Sequence, residues 1–476
     1  MPYTQLQFSI KNLGCIEEGH FALKPLTLLC GPNNTGKTWA MYALYGFLNQ
    51  PTMQSAQSRT TALGLDAVCE QLEREGTATL DLGVWLSAYA DKLLDECHRG
   101  MKRRLPEIFR AEATLFARSQ FDWICEREAL ISSAVERSLK YRLALGSEDK
   151  EYLRVDKPAA DPTIKLTLLE SGFPDLEQLL VELLISHLIG SMERRPAFLM
   201  PAERNGLHLF FRELRNQRTA LLHHAAKEKI DLANLLRDVL RSRYAEPIAH
   251  YIDWLNELPT RRKNKNGPFH ALAEDLKRQL IGGRYDVDAE GNINFTPYKK
   301  SRGNGGEMPT MELHLTSSTV KSLFGLWFYL EHQAQPGDVL MIDEPELNLH
   351  PSNQRQIARL IVRLVNAGLN VVASTHSDYL VREINSMIML SRPHPEHARL
   401  MRLGGFSQDE RLSPDKIGAY LFDQRELNLM EVNPEEGIVA TTFDEVIHSL
   451  NETSDEIFYA YRDIDEEGAP KVGGDE

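Results

Sequence analysis

The sequence predicts an α/β fold with a mixed, largely parallel sheet and large, mainly α-helical insertions. The apolar run "LTLLC" is followed by the glycine-rich stretch "GPNNTGKT" and the helical pattern "WAMYALYGFL". From Gly306 onward, buried-strand patterns such as "GDVLMIDEP" and "LNVVASTHS" alternate with helical ones. Between these two parts, long stretches show the apolar spacing of helices. Strands that alternate with helices imply a parallel sheet, with ligand sites at the carboxyl ends of its strands.

We expect a head, two mainly helical insertions, an α-rich C-terminal region and an acidic tail. The head comprises residues 1–51 and 282–400 with a strand at 196–204. The two insertions comprise residues 52–195 and 205–281, the C-terminal region comprises residues 401–460, and the tail comprises residues 461–476. The first insertion carries one strand-like stretch, "TIKLTLL". In the head, "GRYDVDAEGNINFTPYK" alternates on both sides of "AEGN", which predicts a β-hairpin.

The composition is that of a globular protein, with 42% hydrophobic and 26% charged residues in a chain of 476. No apolar run reaches the roughly 18 residues of a membrane span, and the N-terminus lacks a secretory pattern. The five scattered cysteines favour reduced thiols. We therefore expect a cytoplasmic protein without a membrane partner. A net charge of −14 argues against wrapping nucleic acid, although basic clusters at 101–104, 261–265 and 298–302 leave a nucleic acid partner open.

The stretch 31–38 fits the phosphate-binding pattern G-x-x-x-x-G-K-[ST], in the strand–loop–helix context that the pattern requires. We call it the phosphate loop. Lys37 would reach the β- and γ-phosphates of a nucleotide, and Thr38 would give its hydroxyl to Mg²⁺. The residues expected to present the loop to phosphate oxygens, chiefly through backbone N–H groups, are Gly31, Asn33, Asn34, Thr35 and Gly36.

Acidic residues end the buried strand in "VLMIDEPE". Asp343 at the strand end would hold Mg²⁺, and Glu344, pointing elsewhere, would polarise the attacking water. We expect Glu346 to be a poorer base because Pro345 turns the chain away. In "VVASTHS", His376 follows the next buried strand and would donate to a γ-phosphate oxygen.

Taken together, these motifs resemble the ABC-type ATPases, in the branch of SMC and RecF proteins rather than transporter subunits. The resemblance covers the first forty residues and roughly 282–380, and it implies ATP and Mg²⁺ as ligands and a homodimer or higher homo-oligomer. It places "LTSSTVKSL" at the family's signature segment, so Ser317, Ser318 and Lys321 would contact ATP bound by a second subunit. Thr319 stands where the family usually has glycine. The resemblance also makes "LNLH" a dimer-crossing loop, which implicates Asn348 and His350.

The stretch "MPAERNGL" resembles a sub-branch of overcoming-lysogenisation-defect-like ATPases, found in phage defence. Arg204 in this stretch would reach a phosphate, a nearby acid or an ordinary ion-pair partner. Some members of the sub-branch carry a TOPRIM nuclease. Here the only late candidates for its acids are Asp463 and Asp465, so we expect no such nuclease in this chain.

The expected function is a slowly hydrolysing ATPase that dimerises head to head. It would act as a sensor or scaffold for a separate effector, a nuclease encoded nearby, in anti-phage defence of the Septu or PARIS type. One alternative is a RecF-like DNA repair or recombination ATPase, which would show ATP-dependent, salt-sensitive DNA binding. Another is the ATPase half of a transporter, which would need a membrane partner and normally a glycine in the signature segment.

Overall fold

The computed structural model describes residues 6–49, 63–145, 150–170, 176–188, 196–213, 244–258, 267–298 and 308–439, together with residues 453 and 456. The predicted acidic tail and the basic clusters at 261–265 and 299–302 lie outside these residues, as does most of the region after 439.

The described strands form four sheets. In chain order they are β1 (Gln7–Leu13), β2 (Ile16–Ala22), β3 (Leu26–Cys30), β4 (Thr77–Asp81), β5 (Gln120–Ile124), β6 (Leu139–Leu145), β7 (Lys150–Lys157), β8 (Thr163–Leu168), β9 (Phe198–Met200), β10 (Gly283–Val287), β11 (Ile293–Pro297), β12 (Met311–Glu312), β13 (Val339–Asp343), β14 (Asn370–Thr375), β15 (Ile417–Asp423), β16 (Glu426–Met430), β17 (Val432–Asn433) and β18 (Gly437–Ile438).

Helices surround these sheets. The helices with described bounds are α1 (Lys37–Asn49), α2 (Asp66–Glu75), α3 (Leu82–Phe109), α4 (Arg127–Glu136), α5 (Leu176–Leu188), α6 (Glu246–Asn256), α7 (His270–Leu276), α8 (Ser318–His332), α9 (Pro351–Asn366), α10 (Asp378–Met389) and α11 (His397–Gly404). Residues 204–213 are also helical, and a π-helical turn spans Lys277–Ile281. Within the described residues, no helix is long and apolar enough to cross a membrane.

The main sheet has nine strands in the order β5-β1-β2-β16-β15-β3-β14-β13-β9. Strands β9, β13, β14, β3 and β15 run parallel to one another, whereas β15 pairs antiparallel with β16 and β1 pairs antiparallel with both β2 and β5. The predicted fold class, an α/β head with a mixed sheet, is therefore confirmed. The carboxyl ends of β3, β14 and β13 meet at one edge, because Cys30 pairs with Thr375 and Ser374 pairs with Asp343.

Two hydrophobic cores cover the two faces of the main sheet. Along β3, Leu28 belongs to one core and Leu29 to the other, and Leu340 and Met341 of β13 divide in the same way. Successive side chains of a strand point to opposite faces, so both faces of these strands are buried. Burial on both faces explains why the strands read as continuous apolar runs rather than as alternating patterns.

The first insertion differs from the mainly helical prediction. It holds the 28-residue helix α3, but also an antiparallel sheet in the order β4-β8-β7-β6, of which the sequence analysis predicted only β8. It also supplies β5 to the edge of the main sheet. Strands β4 and β5 have five residues each, which is too short to stand out beside long helical patterns.

The C-terminal region is not α-rich in its described part. After α11, strands β15 and β16 join the main sheet, with β15 parallel to β3 and antiparallel to β16. The region predicted as a separate addition therefore completes the head. By contrast, the described parts of the second insertion are helical, and the predicted hairpin is confirmed as β10 and β11, which pair antiparallel from Gly283 with Pro297 to Val287 with Ile293.

Helix α3 joins the first insertion to the helix that follows the phosphate loop. Trp39 of α1 stacks on Phe109 near the end of α3, with ring centroids 4.5 Å apart. Arg104 of α3 forms a buried ion pair with Glu246 of α6 at 3.0 Å and donates to the backbone oxygen of Gly46 in α1 at 3.0 Å. The head and both insertions therefore share one packed junction.

Candidate nucleotide site

The phosphate loop lies between β3 and α1, as predicted, and two of its positions require glycine. Gly31 has a φ of 141°, and a β-carbon there would lie 2.4 Å from the backbone oxygen of Phe422 in β15. Gly36 has a φ of 107°, and a β-carbon there would lie 2.6 Å from the side chain of Ile16. Strand β15 and the first hairpin therefore pack directly against the loop. Asn33 and Asn34 are exposed, and Thr35 is half-buried.

Lys37 is buried and its ammonium group folds back over the loop. Its Nζ donates to the backbone oxygens of Gly31 at 2.9 Å and Pro32 at 2.6 Å. Burial lowers the pKa of Lys37, while the negative charges of Glu344 and Asp343 act against this shift. The ammonium group of Lys37 is therefore placed to bind phosphate oxygens, which would replace the two backbone carbonyl groups as its partners.

Thr38 and Asp343 meet across the edge of the sheet. The Thr38 hydroxyl donates to Asp343 Oδ2 at 3.0 Å, and the Ser374 hydroxyl donates to Oδ1 of the same carboxylate. Burial raises the pKa of Asp343, although both hydroxyl donors act to lower it. A hydroxyl and a carboxylate in contact are oxygen donors of the kind that Mg²⁺ binds. These residues fit the predicted metal site.

Glu344 and Glu346 have different surroundings. Glu346 accepts hydrogen bonds at Oε1 from the Thr375 hydroxyl at 2.7 Å and from the backbone N–H of His376 at 2.9 Å, and only 2% of its side chain is exposed. The Glu344 side chain is 22% exposed, so it is accessible to water. This difference agrees with the choice of Glu344 as the base. Within the described residues, Glu346 Oε2 has no hydrogen-bond partner, although it is buried.

His376 lies between the two carboxylates. Its Nδ1 is 3.6 Å from Glu344 Oε1 and 3.5 Å from Glu346 Oε1, and its side chain is 39% exposed. The backbone of Glu344 has a φ of 51°, and its N–H donates to the Ser374 hydroxyl at 3.0 Å. The turn after β13 therefore places the Glu344 backbone in a left-handed conformation that the Ser374 hydroxyl holds.

The role of Arg204 could not be chosen from the sequence. Within the part of the chain that the structure describes, Arg204 forms no ion pair: its guanidinium is buried and donates to the backbone oxygens of Asp343 at 2.8 Å and Glu344 at 2.7 Å. Burial lowers the pKa of Arg204, whereas nearby Tyr251 and the acids raise it. The signal in the sequence was an arginine just after the short buried strand β9.

Within the described residues, no hydrogen bond joins the residues expected to act on a second subunit to the phosphate loop of their own chain. Ser317 and Ser318 are exposed at the start of α8, where the Ser317 hydroxyl accepts from the backbone N–H of Val320 at 3.3 Å. Lys321 follows in the first turn.

The two residues of the "LNLH" loop are also exposed. Asn348 has a φ of 61°, and His350 caps α9 by accepting from the backbone N–H of Ser352 at 3.3 Å. His350 therefore has a structural role in its own chain, in addition to any role at an interface. Gln50 and Gln54, considered as candidates for the family's glutamine loop, lie outside the described residues.

Two stretches of the chain match known family models. Residues 6–166 match one described as "AAA ATPase domain", and residues 202–382 match one described as "AAA domain, putative AbiEii toxin, Type IV TA system". The first includes the phosphate loop, and the second includes the acids, the start of α8 and His376. Residues 6–166 and 202–382, which between them contain the phosphate loop and the acidic segment, are therefore similar to ATPase domains of the AAA type. No curated protein matches it.

The solved structures to which this chain is similar include SMC head domains. One is the SMC head domain from Thermotoga maritima, with 9% identity over 90% of this chain and 99% of that chain and a TM-score of 0.32. Another is the Smc head domain with an extended coiled coil from Pyrococcus furiosus, bound to the C-terminal domain of ScpA, with 12% identity over 94% and 99% and a TM-score of 0.33. A third, an SmcHead bound to the C-winged helix domain of ScpA, has 11% identity over 89% and 96% and a TM-score of 0.34.

Proposed function

We propose that this protein binds ATP with Mg²⁺ and hydrolyses it slowly. The observation that carries the proposal is the 3.0 Å hydrogen bond between the Thr38 hydroxyl and Asp343. This bond joins the phosphate loop to the acidic end of β13, two motifs separated by about 300 residues of chain. A strand–loop–helix alone fits many phosphate ligands, but a loop hydroxyl in contact with a buried carboxylate fits a phosphate with its metal ion.

Each residue has a defined task in this proposal. Lys37 exchanges its carbonyl partners for phosphate oxygens, and Thr38 and Asp343 hold the metal ion. Mg²⁺, when bound, neutralises the charge that develops on the phosphate oxygens. Glu344 takes a proton from the attacking water, because it is the partly exposed carboxylate of the pair. Glu346 fixes the backbone at His376, whose imidazole donates to the γ-phosphate.

We further propose that two molecules associate head to head, each completing the other's site. Ser317, Ser318 and Lys321 lie in the first turn of α8, where the helix end presents free N–H groups and attracts anions. Asn348 and His350 are exposed on the loop after the acids. These five residues make no hydrogen bond to the phosphate loop of their own chain within the described residues, which is the arrangement expected if they act on a partner's nucleotide.

The wider role we propose is that of an ATP-controlled sensor or scaffold for a separate effector, such as a nuclease, in anti-phage defence. ATP would favour the closed dimer and hydrolysis would release it, which gives a switch with two states. The match of residues 202–382 to a family described with a toxin system supports a defence setting. The junction around Arg104 connects the head to both insertions, so a change in the head would be felt by an effector docked on them.

A titration with ATP and Mg²⁺ tests the nucleotide site. Lys37→Ala is expected to reduce ATP affinity by at least about 100-fold, since it removes a charged partner of the phosphates. Lys11→Ala is a matched control, because Lys11 is an exposed lysine that pairs with Glu18 at 3.0 Å. If Lys37→Ala binds ATP as well as the control does, the phosphate loop is not a nucleotide site.

Mass measurement in solution tests the dimer. In Glu344→Gln, which should retain ATP, addition of ATP and Mg²⁺ is expected to convert monomers to dimers. Adding Ser318→Arg should block this conversion without lowering ATP affinity, because the exposed serine would face the partner's nucleotide. A normal dimer in the double variant would contradict the trans role. The same measurement with the neighbouring gene product asks whether the dimer holds or releases an effector.

A further inference from the structure

Arg204 is a buried cation that binds main-chain oxygen atoms rather than a carboxylate. Only 1% of the residue is exposed, and among the described residues its guanidinium donates to backbone oxygens and one hydroxyl. Its terminal nitrogens donate to the backbone oxygens of Pro201 at 3.1 Å, Asp343 at 2.8 Å and Glu344 at 2.7 Å. Burying an arginine costs several kcal/mol unless its donors are satisfied, so this set of acceptors is what makes the position tolerable.

The two acceptors in the acidic segment lie at a strained turn. Glu344 has a φ of 51°, a left-handed conformation that costs about 1 kcal/mol or more for residues other than glycine. Arg204 holds the oxygen on each side of that turn, and the Ser374 hydroxyl holds the Glu344 N–H at 3.0 Å. The direction of the Glu344 side chain therefore depends on contacts to its backbone, and Arg204 makes two of them.

Arg204 also contacts the helix that begins with the proposed trans residues. Its Nε donates to the Ser322 hydroxyl at 3.2 Å, and that hydroxyl donates in turn to the backbone oxygen of Leu347 at 3.3 Å. One turn further along the same segment, His208 Nδ1 donates to the backbone oxygen of Lys321 at 2.8 Å, and its Nε2 accepts from the Tyr251 hydroxyl at 2.7 Å.

The segment 204–208 is therefore bonded to the first turn of α8 at two consecutive residues. Lys321 and Ser322 cannot shift without moving the arginine or the histidine, since both side chains are buried and hydrogen-bonded to these residues. The guanidinium group is planar and rigid, with donors on three nitrogens. A displacement at Nε therefore also moves the two terminal nitrogens and their hydrogen bonds to the backbone oxygens.

We propose that Arg204 is a positioning residue that couples the first turn of α8 to the backbone of Glu344. Contact of α8 with a partner's nucleotide would be passed through Ser322 and Arg204 to the base, so that hydrolysis responds to dimerisation. This inference rests on the proposed ATPase function and deepens it.

The test compares three variants of the full chain. Arg204→Lys keeps the charge but cannot reach all the acceptors, and Ser322→Ala removes one bond while leaving the arginine in place. Arg212→Gln is the matched control, because Arg212 lies on the same helix, residues 204–213, but contacts the hairpin turn at Glu290 and Asn292 instead.

For ATP hydrolysis, we expect kcat to fall about 100-fold in Arg204→Lys, as for a displacement of roughly 1 Å in the base. In Ser322→Ala, we expect a fall of about 10-fold, as for loss of one hydrogen bond to a charged group. The affinity for ATP should stay within about 3-fold of wild type in both, since neither residue touches the phosphate loop. A loss of affinity equal to the loss of kcat, or an equal loss of kcat in Arg212→Gln, would overturn the proposal.

Hydrogen exchange separates this inference from the proposed function. Amides of residues 343–349 should exchange faster by about 5-fold or more in Ser322→Ala than in Arg212→Gln, with or without nucleotide. If wild type neither binds nor hydrolyses ATP, the proposed function fails but this comparison still decides the coupling. Equal exchange in the two variants would refute it.

Discussion

Replacing Gly31 with alanine is expected to destabilise the head, to weaken ATP binding, or both. The φ of 141° at Gly31 belongs to a region that is essentially restricted to glycine, at a cost of about 1–3 kcal/mol for another residue. The added β-carbon would lie 2.4 Å from the backbone oxygen of Phe422. That distance is about 1 Å short of a normal contact near 3.5 Å. Because a backbone oxygen in a central strand cannot rotate away, the phosphate loop must move instead.

The expected magnitude follows from these two terms. Backbone strain of about 1–3 kcal/mol and overpacking of about 1–3 kcal/mol together give a loss of roughly 2–6 kcal/mol in the free energy of unfolding, if the loop stays in place. If it moves by about 1 Å instead, the loss appears in function, because a displacement of that size costs about 100-fold. Gly337→Ala is the control: its φ is 88°, but no atom lies within 4 Å of the added β-carbon.

The assay is urea unfolding together with an ATP titration, applied to both variants. Gly337→Ala should lose only about 1 kcal/mol, from its backbone conformation alone, and should bind ATP normally. Gly31→Ala should differ from it in at least one of the two measurements by the amounts given above. If Gly31→Ala matches the control in both stability and affinity, the close packing of β15 against the loop is not required, and the argument from contact distance fails.

Three further outcomes are expected from other parts of the structure. Glu344→Gln should retain ATP but release phosphate about 10²–10⁴-fold more slowly, and unchanged release would place the base elsewhere. Arg104→Met should lower the free energy of unfolding in urea by about 3–5 kcal/mol because it leaves Glu246 buried and unpaired, whereas exposed Arg99→Met should change it little. Burial lowers the pKa of His187 from 6.5 to about 4, so stability should be complete above pH 6.5 and fall by about 3 kcal/mol as the pH drops to 4; His187→Asn should show a smaller fall over this range.

The sequence predicted the parts of the head in which one residue pattern has one physical solution. A buried apolar run before a glycine-rich loop leaves few alternatives for the phosphate loop, and acids that end a second buried run must lie at the same edge of a parallel sheet. Thr38 and Asp343 are therefore in contact, as their assigned roles require. The choice of Glu344 over Glu346 also agrees with the exposure of the two side chains, although their catalytic roles remain proposals.

The sequence could not predict features that depend on contacts distant in the chain. Strand β15 was missed because "IGAYLFD" follows helical and polar stretches, and its place in the sheet is determined by strand β3, nearly four hundred residues earlier. The role of Arg204 was undecided because its acceptors are backbone oxygens. A residue pattern shows which side chains could form ion pairs, but it does not show which carbonyl groups point toward them.

The insertion of β15 between β3 and β16 has a consequence for biosynthesis. Its residue Ile417 pairs with Leu26, 391 positions earlier, so β3 lacks one neighbour until nearly all of the head has been translated. At about 5–20 residues per second, that wait lasts on the order of 20–80 seconds, during which the exposed edge invites wrong pairing. The packing of the Phe422 backbone against Gly31 also forms only then. A ribosome-bound chain should therefore need chaperone protection, and nucleotide capture would mark the molecules in which β15 has joined the sheet.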